Sequence, residues 1–541
     1  MPRKTLILVS LLIAAFVINL DTTMVNVALP ALERQLGATT AQLQWVVDAY
    51  NLVFAALLLS AGNLSDRLGR RRLLITGLLV FGAASVAGSF ATATGELIAA
   101  RAVMGLGAAL TFPATLSLLT GTFVERRERA RAIGLWGATA GAAIALGPIA
   151  GGWLLDRFSW SSIFVAMGPV ALAAVVLAVR YVPGTRGESA GRLDIGGLMS
   201  SAAAIGVLVF TIIEAPSYGW ASARSLGGFA AAAILLLAFV LRERRSPSPM
   251  IDVRIFRNRR FSAASGAVTV AFFTLFGFIF LITQYFQFLR HYSPLSTGVH
   301  LLPVATAVAI GSVAGTQAAV RAGTKAVVAG GLLLIAVFYF WVAATTSTTL
   351  SYGIISLQMV VYGLGLGFTS APATESIMGA VAARTAGVGS AVNDTTRLIG
   401  GTLGVAVIGS VYASLYQHRM SGLLTAGVPG GLVQTSRQSV GAGLAVAQHL
   451  VASGQAALGQ VVNVTTTNAF LHGLRVAAVV AAAVALAGAI AAVALLPSRP
   501  PAAAVSGDRT VPASDRETAR AEGTAPSRAQ SGAGRVGDRP W

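Results

Sequence analysis

Cysteine is absent from the 541 residues. That excludes disulfides, thiolate metal sites and cysteine nucleophiles, and leaves the compartment open. Charge is scarce too: Asp, Glu, Lys and Arg make up 11% of the chain, against 55% hydrophobic residues. A soluble globular protein carries about 25% charged residues. So little polar surface over this length excludes a large soluble enzyme. Acids are the scarcer sign, 20 against 39 basic residues, for a net charge of +19. Only Lys4 and Lys325 among the bases are lysines; with abundant Ala and Gly, this bias points to a GC-rich genome such as an actinobacterium's. The histidines (His291, His300, His418, His449 and His472) lack metal-ligand spacing, and no Walker loop is present. No metal site, cofactor or ATP-driven step is therefore expected.

Long apolar runs are what the chain does have. About 20 apolar residues span a bilayer as a helix. Such runs lie near 6–28, 44–62, 73–92, 96–119, 132–154 and 161–181, then near 195–215 and 225–241. Six more lie near 261–283, 297–320, 326–345, 351–374, 395–415 and 471–496. The expected fold is an all-α membrane protein of 14 transmembrane helices. A six-helix bundle over 1–181 and another over 260–496 flank two added helices at 195–241. The first run begins like a signal peptide, but it continues through Asp21 to Pro30 and is read as a retained helix. Residues 416–469 read as a long outer loop in which the stretch from Gln438 to Val462 forms an amphipathic surface helix or, as the alternative that would put the basic tail outside, a fifteenth span; 497–541 reads as a disordered cytoplasmic tail.

The basic residues set the orientation. With the N-terminus inside, seven fall outside (Arg34, Arg157, Arg224, Arg290, Arg419, Arg437, Arg475) and two lie within helices (Arg101, Arg397). The other thirty are inside. Both termini are thus expected in the cytoplasm, with the protein in the plasma membrane. The positive charge marks the cytoplasmic leaflet of the lipid bilayer; no nucleic acid is expected as a partner.

The few ionisable residues inside apolar helices carry the chemistry. A charge at a helix centre costs ~2.5–3.5 kcal/mol, so it faces a cavity or a partner. Asp21 sits in the first helix and Arg101 in the fourth, and pairing would neutralise both; protonating Asp21 would then release the Arg. Gln44, Asp48 and Asn51 recur at i, i+4 and i+7 as one polar stripe on the second helix. Glu214 ends the seventh helix. Glu375 and Asp394 read as rim charges, with Asp394 and Arg397 a candidate i, i+3 pair. Gly62-Asn63-Leu64-Ser65-Asp66-Arg67-Leu68-Gly69-Arg70-Arg71-Arg72 follows the second helix, and its glycines and single Asp among arginines suggest a tight turn and a charge network.

That stretch resembles the signature loop of the major facilitator superfamily. Arg101, Gly105 and Gly107 resemble the superfamily's fourth-helix motif, which is linked to proton transfer. Gly147-Pro148-x-x-Gly151-Gly152 is similar to the motif that marks its antiporters, although Ala143 stands where a glycine is usual. Leu20-Asp21-x-Thr23-x-x-Asn26-x-Ala28-Leu29-Pro30 and Trp45-Val46-Val47-x-Ala49-Tyr50-x-Leu52 resemble motifs of the fourteen-helix drug:proton antiporters. Gln284-Tyr285-x-Gln287 and the stretch from Asn393 to Gly404 look like members of the same group. The resemblance covers roughly residues 5 to 496.

It implies a transporter and not an enzyme: a proton-coupled antiporter that exports hydrophobic or amphipathic small molecules, such as drugs or antibiotics, by alternating access. Asp21, Arg101 and Asp48 are the expected proton-coupling residues. Asn26, Gln44, Asn51, Glu214, Gln284 and Gln287 are candidates for the substrate cavity. Gly62, Asp66, Arg67, Gly69 and Arg70, with Gly147, Pro148, Gly151 and Gly152, are the expected conformational switch. The expected partners are a small-molecule substrate, protons and lipid, with the chain as a monomer. The alternatives are export of an endogenous metabolite or lipid, a proton symporter, and a carrier-derived sensor.

Overall fold

The computed structural model describes residues 3–184, 194–246, 253–381 and 386–497, and no strand occurs among them. The tail read as disordered lies outside the described residues from 498 onward. Fourteen described helices are long and apolar enough to cross a membrane. Helices suit that solvent because every backbone donor is satisfied within its own segment.

The first six are α1 (Arg3–Leu36), α2 (Thr40–Leu68), α3 (Arg70–Gly88), α4 (Thr94–Thr122), α5 (Arg126–Arg157) and α6 (Ser162–Tyr181). Next come α7 (Ile195–Tyr218) and α8 (Ala223–Arg245). The remaining spans begin with α9 (Arg259–Gln284), prolonged by a π-type turn at Tyr285–Leu289. A short α10 (Pro294–His300) and α11 (Leu302–Ala322) together form the tenth span. Then follow α12 (Thr324–Thr345), α13 (Tyr352–Gly379) and α14 (Ala386–Met420), the short α15 (Gly430–Ser436) and α16 (Val440–Ala452), and finally α17 (Ala456–Leu495).

Two boundaries differ from expectation. The signature stretch is mostly helix: α2 runs through Gly62 to Leu68, and only Gly69, at φ +92°, breaks the chain before α3. No proline or left-handed residue precedes Gly69, so the helix continues past its apolar part. The side chains of Asp66 and Arg67 lie outside what the structure describes. Arg70 donates to the Ser117 carbonyl at 3.4 Å and Arg71 to that of Val179, tying the turn to α4 and α6.

The second difference is the outer loop. The segment expected as a loop over 416–469 is largely helical, with α14 reaching Met420 and α17 starting at Ala456. Polar residues such as Gln460, Asn463 and Thr465 masked that extension in the sequence, yet nothing there breaks a helix. The amphipathic segment is interrupted at Gly454, at φ +82°. The resulting α16 buries Val440, Gly443, Val446, Ala447 and Leu450 against protein, chiefly α17. It is not a surface helix with a free apolar face.

In the first set, α1 packs on α4, α5 and α6, and α4 packs on α2 and α3. In the last set, α13 packs on α11, α12 and α9, while α17 packs on α12 and α14. The two halves meet through α2 with α14, α5 with α10, and α1 with α9 and α16. Lying between them, α7 touches α2, α14 and α8. The side of the molecule where α1 begins is the N-terminal face, and the side where it ends is the opposite face.

Candidate functional site

Asp21 and Arg101 are both buried, 3% and 1% exposed, and they meet. Arg101 Nη1 lies 2.6 Å from Asp21 Oδ2. Its Nε donates to the Val46 carbonyl at 2.9 Å, and the guanidinium sits 4.3 Å from the Tyr50 ring centroid. The Tyr50 hydroxyl donates to the Ile18 carbonyl. One arginine thus joins α1, α2 and α4. The neighbouring glycines let α4 close up on α2 and α3: a Cβ at Gly105 would lie 2.5 Å from the Tyr50 carbonyl oxygen on α2, and one at Gly107 2.6 Å from the Phe81 nitrogen on α3.

The polar stripe on α2 points into the joint between the halves. Gln44 Nε2 donates to the carbonyls of Val405 and Ala406, both at 3.0 Å, and to Ser410 Oγ at 3.3 Å on α14. One turn along, Asp48 is fully buried, and neither carboxyl oxygen has a hydrogen-bond partner. Asn51 Oδ1 is buried and unpartnered as well.

From the other half, Gln287 Nε2 donates to the Val27 carbonyl at 2.8 Å. The π-type turn presents it, since such a turn adds a residue to the helix and rotates the residues after it. Gln284 donates to the Phe280 carbonyl of its own helix, and Asn26 to the Thr22 carbonyl of its own. Glu214 is half-buried on α7 and accepts from Trp45 Nε1 at 3.4 Å, which places it beside α2 and away from Asp21. Gln44 and Gln287 therefore tie the halves together here, while Glu214 belongs to the α7 contact.

The Gly-Pro motif of α5 works on two sides. A Cβ at Gly151 would lie 2.7 Å from Met24 Cγ on α1, and one at Gly152 2.5 Å from the Pro294 carbonyl oxygen on α10. Gly298 returns the contact, its missing Cβ facing the Pro148 carbonyl. Gly147 faces Thr23.

Two carboxylates that carried no role in the sequence reading complete this joint. Asp156 accepts from Ser293 Oγ at 3.0 Å and the Leu295 amide at 3.3 Å, at the start of α10. Glu33, 5% exposed, accepts from the Gly441 amide at the start of α16. Thr40 donates both its amide and its hydroxyl to the Gln438 carbonyl. In sequence, Glu33 beside Arg34 looks like a rim pair. The usable signal was its place seven residues after Asn26, on the same buried side of α1. These five sets of inter-half bonds all sit toward the opposite face. The first half of α5, from Arg127 to Ala142, is by contrast mostly exposed.

In the last set of helices Arg397 stands 4.0 Å from Asp394, the expected i, i+3 pair, but its closer partner is Thr374 Oγ1 at 3.1 Å. An apolar cavity of about 50 Å³ lies among Phe278, Tyr285, Phe338 and Met359. Pockets that take drug-sized ligands measure ~300–1,000 Å³, well above this volume.

Fourteen apolar spans, two packed sets and a polar joint between them define a multi-pass membrane protein with a two-half carrier architecture. The chain belongs to the Major Facilitator Superfamily, whose profile it matches over residues 11–405. It is 35% identical over 426 residues to the multidrug resistance protein Stp of Mycobacterium tuberculosis, covering 79% of each chain. It is 33% identical over 491 residues to the multidrug efflux pump LfrA of Mycolicibacterium smegmatis, covering 90% of this chain and 95% of that one. Among solved structures it resembles a bacterial homolog of the human lysosomal transporter Spinster. The TM-score is 0.63 at 17% identity, covering 92% of this chain and 99% of that one.

Proposed function

We propose that the protein is a proton-coupled antiporter of the plasma membrane that exports hydrophobic or amphipathic small molecules, with both termini in the cytoplasm. The substrate class follows from the kinship with Stp and LfrA, named for multidrug resistance and efflux. The basic loops orient the N-terminal face inward. Residues 1–181 and 260–496 act as the two rocking bundles, with 195–241 alongside. The bonds joining the halves toward the opposite face support an inward-facing reading of this state, in which cargo enters from the cytoplasm or inner leaflet. Rocking about a midplane site then exposes it outside.

The observation that carries proton coupling is the buried Asp21–Arg101 ion pair. Proton arrival at Asp21 would break the bond and free Arg101 from α1, changing how α1, α2 and α4 are held. One proton returning across 100 mV supplies ~2.3 kcal/mol, enough for a roughly fifty-fold substrate gradient at ~1.4 kcal/mol per decade. Expression in a host lacking its own efflux pumps tests the reading. The wild-type chain should raise the inhibitory concentration of amphipathic drugs, and Asp21→Asn should abolish the gain at equal membrane abundance. Equal resistance from both would refute it.

A further inference from the structure

Toward its end α7 lies on α2: a Cβ at Gly206 would stand 3.9 Å from Leu52, and the rings of Trp45 and Phe210 are 6.1 Å apart. Its first turn leans on α8 instead, with the missing Cβ of Gly196 facing the Arg242 guanidinium and that of Gly197 the Glu243 carboxyl. The wedge left between α2, α4 and the start of α7 is a cavity of about 150 Å³, lined by Leu57, Leu64, Leu106, Leu110, Ile195 and Leu198. Leu106 and Ile195 are exposed, so the wedge opens sideways as a groove. At ~100° per residue, Leu57 and Leu64 fall on the side of α2 opposite Gln44, Asp48 and Asn51. The groove therefore faces the bilayer and not the joint between the halves, which makes a lipid its occupant rather than cargo.

A carboxylate closes one end of this apolar groove. Asp194 immediately precedes the span Ile195–Tyr218, at the level where lipid headgroups lie. Its side chain is 4% exposed. Oδ1 accepts from the Gly197 amide at 2.8 Å and from Arg242 Nε and Nη2 at 3.0 and 2.8 Å. Oδ2 is buried with no hydrogen-bond partner. An ionised oxygen out of water is costly until a donor reaches it. Arg242 is itself 53% exposed, so acid and base stand side by side, one turned into the groove and the other to the surface. A zwitterion matches that pair, because hydrogen bonds to charged groups are the strong ones.

We propose that the groove binds one phospholipid with a primary-ammonium headgroup, of the phosphatidylethanolamine type. An acyl chain lies along the leucines, the ammonium donates to Asp194 Oδ2, and the phosphate takes the exposed side of Arg242. A choline headgroup carries the same charges but has no N–H to donate. Phosphatidylglycerol lacks the cation and would bring a net negative charge beside Asp194 and the buried Glu243. The bound lipid fills the wedge that α7 leaves against α2 and α4, and so fastens the added helices to the first set. The site does not depend on proton coupling.

Native mass spectrometry of the delipidated full chain reads the binding, with three lipids of identical acyl chains titrated in detergent. Phosphatidylethanolamine should bind first and as a single copy, about ten-fold tighter than phosphatidylcholine, the size of one hydrogen bond to a charged group. It should also bind tighter than phosphatidylglycerol. Asp194→Asn keeps an acceptor for the Gly197 amide but loses the charge, and should lose most of the preference for ethanolamine over choline. Leu106→Trp puts an indole into the groove and leaves Asp194 and Arg242 in place; it should lose the tight copy. Added phosphatidylethanolamine should raise the unfolding temperature of the wild type and leave that of Leu106→Trp unchanged. Equal affinity for the ethanolamine and choline lipids, tighter binding of phosphatidylglycerol, or a Leu106→Trp chain that holds phosphatidylethanolamine as the wild type does, overturns the proposal.

Discussion

Removing the negative charge from the Asp21–Arg101 pair separates a packing role from a coupling role. In Asp21→Asn, Arg101 stays 1% exposed and keeps the Val46 carbonyl and the Tyr50 ring, but it loses the carboxylate at 2.6 Å. A buried charge stripped of its partner costs ~3–5 kcal/mol, whereas replacing both members by neutral groups is often close to neutral. The single variant should therefore unfold at markedly lower temperature in detergent. Asp21→Asn combined with Arg101→Gln should recover most of that loss, giving a coupling energy far outside the ~0.3–0.5 kcal/mol expected of independent sites. Proton release on drug addition, measured in vesicles, should be absent from both. A structural pair would give a different pattern, with stability and proton release returning together. If the double variant moves protons as the wild type does, the assignment of coupling to this pair is wrong.

At the α5–α10 joint, Gly298→Ala or Gly152→Ala would drive a methyl into the Pro148 or Pro294 carbonyl. Overpacking of this kind costs ~1–3 kcal/mol, so an external thiol reagent should label Ser410→Cys at least five-fold faster; unchanged labelling would mean the joint tolerates the methyl. Glu33→Gln weakens the cap on α16, worth about 1 kcal/mol for a helix N-terminus. Amide exchange at Gly441 and Ala442 should then quicken about five-fold, and unaltered exchange would deny Glu33 that role. Asp194 caps α7 through the Gly197 amide and holds Arg242 at 2.8 Å. Burial pushes its carboxyl up, but the Gly197 amide and Arg242 outweigh this and hold it below the ordinary aspartate value. The hold of α7 on α8 is thus complete above that value, near 3.9, and fades only as pH falls through the lowered one. Exchange in the first turn of α7 should stay pH-independent, after correction for chemistry, from 7 to 5, and Asp194→Asn should raise it there; a loss of protection between pH 7 and 5 in the wild type would contradict the cap.

Hydrophobicity made the spans legible, because twenty apolar residues in a row have few other uses. Asp21 and Arg101 stood out for the complementary reason, as charges where charge is costly. Apart from that pair, which the two charges themselves suggest and the structure brings together, contacts between distant helices were not legible. Gln44 looked like a cavity group, yet the register of α2 on α14 makes it a tie between the halves, and no local pattern encodes that register. Glu33 and Asp156 sit beside arginines at helix ends, where nothing local marks them, and only α16 and α10 supply their partners. The start of α17 was missed because Thr465, Thr466 and Thr467 are poor membrane residues but acceptable helical ones. Gly62 was taken for part of a turn because glycine is common in turns, although one residue, Gly69, suffices to make this one.

The central claim, that cargo leaves in exchange for an incoming proton, is most directly tested with the purified chain in inside-out proteoliposomes. With an acidic lumen standing for the cell exterior, an amphipathic drug should accumulate inside while protons leave, and a protonophore, by collapsing the gradient, should abolish both the drug accumulation and the drug-dependent proton efflux. Drug accumulation with no accompanying proton efflux, or with protons moving in the same direction as the drug, would contradict the account.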